Sequence, residues 1–216
     1  RGRIAMDSKG KAIYAKNHTQ VKYLDAVKSN DLTFAIGPAG TGKTFLAIVA
    51  AVCALKKRQV EKIILTRPIV EAGENLGFLP GGIREKVDPY FAPVYDALTT
   101  LLGKSGIDGK IKSGIIEIAP LAYMRGRTFN NSFIILDEAQ NTTPKQMKMF
   151  LTRFGMGSKM AITGDETQVD LQDKTLSGLV DAKTRIQKHN IPHIGVVNFT
   201  PNDVMRYPIV AEIVKA

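Results

Sequence analysis

The chain has 216 residues, 44% apolar and 23% charged, with a net charge of +10; that suits one domain with a sizeable core, or at most two small ones, and favours a polyanionic partner such as nucleic acid. A lone cysteine, Cys53, excludes an internal disulfide framework and fits a reducing compartment, and its place in an apolar helix reads as an inert buried thiol. No apolar run reaches the ~18 residues of a membrane span, residues 1–28 are too polar for a signal peptide, and the start at Arg1 without Met suggests a fragment.

Taken in order, residues 1–16 are basic and aperiodic, and a flexible arm is expected there. Val21, Leu24 and Val27 then predict an amphipathic helix over Asn17 to Ser29, capped near Asn17. Gln20 lies in its first turn. Its amide matches the donor and acceptor of an adenine edge, or it is simply an exposed helix glutamine. Leu32 to Ile36 is a buried strand and Phe45 to Leu55 an apolar helix. A second strand, Val60 to Thr66, ends where Pro68 forbids an interior ladder. The long connection from Glu71 to Pro89 is the kind of loop more often functional than idle. Pro89 to Leu102 has helical spacing at Val94, Ala97, Leu98 and Leu101, whereas Gly103 to Gly114 reads as an exposed hairpin or insertion. Ile115 to Ala119 is a strand, followed by a basic loop at residues 124–127. Phe133 to Leu136 is a third buried strand. Thr143-Pro144 opens a helix running to Phe154, with Met147, Phe150, Leu151 and Phe154 as its apolar face. Lys159 to Thr163 is another strand, Leu176 to Lys188 a helix and His193 to Phe199 a last strand. Asp203 to Val214 is helical, broken by Pro208. Apolar strands alternating with helices predict an α/β fold with a parallel sheet covered on both faces, and residues 17–216 form one domain.

The chemistry begins at Gly37-Pro38-Ala39-Gly40-Thr41-Gly42-Lys43-Thr44, which fits G-x-x-x-x-G-K-[ST] between a strand and a helix. Glycines let consecutive N–H groups turn toward a phosphate chain, and the helix N-terminus adds partial positive charge. Lys43 is expected to reach the β and γ phosphates of ATP, and the Thr44 hydroxyl to hold Mg²⁺. Phe45, the next residue, is counted with the nucleotide contacts. The strand ending in Asp137-Glu138 supplies a carboxylate to hold Mg²⁺ through water and a second to orient or deprotonate the attacking water. A Glu directly after the Asp favours hydrolysis over transfer to a small acceptor. Gly164-Asp165 ends a further strand, and parallel sheets place ligands beyond such ends. Gln168 is therefore expected to contact the γ-phosphate or the water.

These motifs stand in helicase order: Asn17 with Gln20, the P-loop, Thr66-Arg67-Pro68 through Gly81, Asp137-Glu138-Ala139-Gln140, and Gly164 to Gln168. The chain resembles the first motor domain of superfamily one helicases, and more closely the PhoH-like family, on the added strength of Ala119 to Thr128 and Asp203 to Pro208. The resemblance covers nearly all of residues 17–216. It implies a RecA-like P-loop ATPase acting on or around RNA, in a family often cytoplasmic and bacterial. Some members are fused or linked to a nuclease, so an endoribonuclease is a candidate partner. Thr66 and Arg67 then lie where such helicases touch the strand backbone. Arg84, Lys86, Arg125 and Arg127 add positive charge, but few aromatics interleave with them and no stacking platform is evident.

A superfamily one helicase neutralises the γ-phosphate with arginines from a second motor domain, for which this chain has no room. The arginine must come from a neighbouring subunit or a local residue: Arg206 first, then Arg125 and Arg127. A head-to-tail ring meets that need, and the resemblance implies a hexamer. The leading reading is an Mg²⁺-dependent ATPase coupled to single-stranded RNA. The alternative is a nucleotide-controlled module that positions a nuclease without being a motor. A small-molecule phosphotransferase is disfavoured by Glu138. His189 and His193 are separated by Pro192 and make no helical metal pair.

Overall fold

The structure is a computed structural model and describes residues 2–70, 88–171 and 176–216. Most of the connection expected over 71–89, with Arg84 and Lys86, lies outside them.

Among the described residues, six strands form one parallel sheet. They are β3 (Leu32–Ile36), β4 (Lys62–Arg67), β5 (Ile116–Pro120), β6 (Ser132–Leu136), β7 (Lys159–Gly164) and β8 (Ile194–Asn198), in the order β5-β4-β6-β7-β3-β8. All five ladders are parallel. The central strands are apolar at nearly every position because both faces are covered, as such sheets require. Ala35, Ile63, Leu65, Phe133, Ile135 and Ala161 face one layer of helices, α1 (His18–Ser29), α2 (Lys43–Lys56), α3 (Ala92–Leu102) and α4 (Lys104–Lys112). Phe34, Ile36, Ile64, Ile134, Leu136 and Ile162 face the other, α5 (Pro144–Leu151) and α6 (Gly178–His189). The two-residue alternation of side chains on each strand thus feeds two cores.

Local signals explain most boundaries. The Asn17 side chain accepts from Gln20 N at the start of α1, a cap of about 1 kcal/mol. Thr143 and Gln146 form a capping box at α5, with Pro144 in the first turn. α2 is apolar almost all round, and Leu46 to Val49, Ala51, Val52 and Ala54 are buried, as suits a helix enclosed on several sides.

Five expectations are corrected. The arm is ordered: β1 (Arg3–Met6) and β2 (Ala12–Tyr14) make an antiparallel hairpin, because Ile4, Ala5 and Ile13 find the core and pack against it. Residues 104–112 are α4 rather than a hairpin: Ile107 is buried and Ile111 partly so, an i,i+4 pair that outweighs Gly106 and Gly109. In α1 the buried residues are Gln20, Tyr23 and Val27, while Val21 is 36% exposed. Of the spaced residues, Val27 is buried and Leu24 packs against the core; Val21 does not, and the polar Gln20 belongs to the buried face instead. Finally, α5 stops at Leu151, leaving Phe154 in the following turn, and the terminal helix α7 (Pro208–Lys215) starts at Pro208 instead of being broken by it.

Candidate nucleotide site

The P-loop lies between β3 and α2 and is held from three sides. Gly37 N donates to Gly164 O at 3.0 Å, tying it to the end of β7. Inside the loop, Lys43 Nζ and Thr41 Oγ1 both donate to Pro38 O at 3.0 Å. From the end of β8 the chain wraps back: a Cβ on Gly37 would collide with Phe199 O, and Met205 N donates to Gly40 O at 2.9 Å. From α1, Gln20 Nε2 donates to Thr41 O at 3.1 Å while its Oε1 accepts from Lys16 N at 2.8 Å. Nε2 also donates to Met205 Sδ at 3.8 Å, so one lone pair of Oε1 remains open to a ligand. Thr19 Oγ1 donates to Asp203 Oδ1 at 3.0 Å, joining the start of α1 to the wrapping segment.

The motif strands end side by side, with β7 between β3 and β6. Asp137 directly follows β6 and is buried. Its Oδ1 accepts from Thr44 Oγ1 at 2.9 Å and from Thr163 Oγ1 at 2.5 Å. Its Oδ2 accepts from Arg67 Nε at 2.8 Å and Nη2 at 2.6 Å. Arg67 Nη1 also donates to Tyr90 O at 2.7 Å. Glu138, in the left-handed region at φ 56°, turns its carboxylate toward Gln140, whose Nε2 donates to Oε2 at 2.6 Å. Gln140 Oε1 accepts in turn from Asp165 N at 3.0 Å. Burial lowers the Lys43 pKa from its ordinary 10.5, opposed by the charges of Asp137, Asp165 and Glu138. A cleft of about 550 Å³ opens over this ground, lined by Ala39, Gly40, Gly42, Lys43, Thr44, Phe45, Arg67 and Glu138 together with Pro93, Asp96, Ala97 and Thr100 of α3. A second cleft, about 590 Å³, lies at the far ends of α1 and α2 around Val27, Cys53 and Lys159, and contains no motif residue.

The hydroxyl of Thr44 and the carboxylate of Asp137 are hard oxygen donors that meet at the head of the P-loop. That set fits Mg²⁺, which takes few protein ligands and fills its shell with water and phosphate oxygens. No group of three or more His, Cys, Asp or Glu converges among the described residues.

Of the other expected site residues, Arg67 lines this cleft, whereas Gln168, Arg206, Thr66, Arg125 and Arg127 do not. Gln168 is exposed on the loop after β7, its backbone N donating to Asp165 O. Arg206 is exposed, directly after the Met205 that grips Gly40. Thr66 is 1% exposed, and its Oγ1 has no hydrogen-bond partner among the described residues. Arg67 is bound to Asp137 and lines the cleft. Arg127 is bound by Glu117, and Arg125 is exposed. Sequence reasoning assigns no role to Thr163, Phe199 or Met205, and none of its own to Gln140. Gln140 and Thr163 adjoin strand-end motifs closely enough to be sought there, whereas the wrap by Phe199 and Met205 depends on β8 pairing with β3.

A family model described as PhoH-like protein matches residues 12–216. The chain belongs to the PhoH-like family. It is 57% identical over 213 residues to a PhoH-like protein of Bacillus subtilis, covering 99% of this chain and 66% of that one. It is 54% identical to a PhoH-like protein of Mycobacterium tuberculosis (98% and 59% covered) and 48% identical to Protein PhoH of Escherichia coli K12 (94% and 58%). The chain thus spans about six-tenths of the length of these PhoH relatives. Among solved structures, the large terminase of a thermophilic bacteriophage shares the fold, with a TM-score of 0.56 at 12% identity, covering 94% of this chain and 50% of the other. The PhoH-like domain has the P-loop NTPase fold. Among its described residues no helix is long and apolar enough to cross a membrane.

Proposed function

We propose that residues 17–216 act as one Mg²⁺-dependent ATP hydrolase, coupled to single-stranded RNA. The observation that carries the reading is the meeting of Thr44, Thr163 and Arg67 on the two oxygens of Asp137, with Glu138 next in the chain. The P-loop N–H groups and Lys43 bind the β and γ phosphates, and Gln20 offers the adenine its open lone pair and the hydrogen it otherwise turns to Met205 Sδ. Thr44 and Asp137 hold Mg²⁺, which when bound neutralises charge on the transferring phosphoryl group. Glu138, steered by Gln140, orients the attacking water and takes its proton. Gln168 reports the γ-phosphate from the loop after β7.

Arg206 supplies a cation to a neighbouring subunit's site. It is exposed and has no ion pair among the described residues. α7, directly after it, presents Ile209 (70% exposed), Val210, Ile213 (67%) and Val214 to solvent, a face that suits a contact between copies in a head-to-tail ring, a hexamer by family resemblance. That same exposed face supports the second reading, a module that positions an endoribonuclease. The setting in either case is cytoplasmic, in keeping with the single thiol.

The test is ATP turnover with and without Mg²⁺ and RNA, for the parent and Glu138→Gln. The substitution should lower kcat by about 10²–10⁴ with little change in KM. Turnover that survives it, or that persists without divalent metal, overturns the hydrolysis reading. Turnover stimulated by a protein partner but not by RNA favours the second reading.

A further inference from the structure

Tyr123 stands 52% exposed between two buried neighbours, Leu121 at 2% and Met124 at 0%. Those two anchor the 3₁₀ turn Leu121–Met124 that follows β5, and the turn's geometry leaves the phenol ring outside. The next residues are braced as well. Arg127 donates from Nη1 and Nη2 to both oxygens of Glu117, at 2.9 and 2.8 Å, and its guanidinium lies over the Phe129 ring at 4.7 Å. Gly126 takes φ 75° in between. Arg125 is left exposed, with no hydrogen bond or ion pair among the described residues. A free guanidinium thus stands two residues from an outward aromatic ring on a fixed turn.

The turn also has a defined relation to the nucleotide site. β5 pairs with β4 so that Pro120 lies opposite Arg67, and Arg67 grips Asp137. Whatever binds the turn is one strand from the arginine that holds the metal-side carboxylate.

We propose that Tyr123 stacks on a base of single-stranded RNA while Arg125 meets a neighbouring phosphate; this rests on the RNA-coupled reading above. Stacking tolerates any base, since each has a π-face, and the phosphate contact is blind to sequence. The stacking platform is therefore this one ring. Arg127 acts as a brace, not a contact.

The chain has no tryptophan, so Tyr123→Trp installs a single reporter. Short oligouridylate should quench its fluorescence. In anisotropy titrations with labelled oligouridylate, Tyr123→Ala should weaken binding about 5- to 100-fold and Tyr123→Phe should bind like the parent. Arg125→Ala should reduce the salt dependence of binding by about one phosphate contact. An unquenched tryptophan, or a Tyr123→Ala protein that binds as the parent does, overturns the stacking and leaves the RNA reading standing. A parent that binds no oligouridylate overturns both.

Discussion

Arg67 grips one oxygen of Asp137 with two nitrogens, Nε at 2.8 Å and Nη2 at 2.6 Å. The other oxygen is left to the hydroxyls of Thr44 and Thr163. Both partners are largely buried, with side chains 14% and 4% exposed. Removing one member of such a pair strands the other. Arg67→Ala should therefore destabilise the domain by about 3 kcal/mol, read by urea unfolding. Arg67→Lys should recover only part of this, because an ammonium cannot reproduce the two-pronged geometry. An alanine variant as stable as the parent would show the pair to be energetically neutral.

Gln140 is 1% exposed and spans Glu138 and Asp165. Gln140→Leu keeps bulk but frees the Glu138 carboxylate and leaves Asp165 N unpaired. If Glu138 is the base, kcat should fall about 10–100-fold with KM nearly constant, a loss confined to the transition state. A proportional rise in KM with unchanged kcat would instead assign Gln140 to binding.

Lys43 illustrates a trade between stability and binding. Its folded pKa is below 10.5, so the unfolded chain keeps this proton to higher pH than the folded one. Stability from this residue accordingly rises as pH climbs through the interval between the lowered value and 10.5. At neutral pH the charged lysine is a burden. Lys43→Met should melt no lower than the parent without nucleotide, and should lose the upward shift of Tm that ATP gives the parent. A large drop in Tm without ligand would contradict this.

Gln20 makes two hydrogen bonds from Nε2 and one at Oε1, and abuts Gly42, where a Cβ would lie 2.7 Å from Nε2 at a φ of 83°. Gln20→Ala should reduce the preference for ATP over GTP by about tenfold, measured by competition. Gly42→Ala should do the same by pushing the amide aside, with the added strain of a left-handed alanine.

Arg206 and α7 can be separated by experiment. Arg206→Ala should cut kcat by about 10³ while leaving assembly intact. Ile213→Glu should leave the fold unchanged, since Ile213 is 67% exposed, but shift sedimentation toward the monomer and lower turnover per subunit. Turnover per subunit that is independent of protein concentration in the parent would remove the case for an arginine in trans.

Much of this is legible in the residue order. Apolar runs such as Phe133 to Leu136 are strands because both sides of the sheet are covered, and Thr143-Pro144 caps a helix by chemistry local to a few residues. The P-loop needs only its own motif and the strand and helix around it. Long-range choices are hidden. Arg67 reads only as a candidate strand-backbone contact until β4 and β6 are aligned, when Asp137 becomes its partner. Residues 3–14 read as a loose arm because Ile4 and Ile13 are isolated in sequence and become neighbours only through the hairpin. Arg127 reads as added positive charge, and its pairing with Glu117, ten residues earlier, shows only once β5 and the loop after it are in place.

The pairing of β8 with β3 joins residues 194–198 to residues 32–36, and Phe199 and Met205 then close on Gly37 and Gly40. A ribosome therefore makes the phosphate cradle early and its outer wall late. A nascent chain halted before β8 carries the whole nucleotide motif and none of this wall. Competence to bind ATP should thus arise abruptly, once β8 and the segment after it have emerged, rather than grow with chain length.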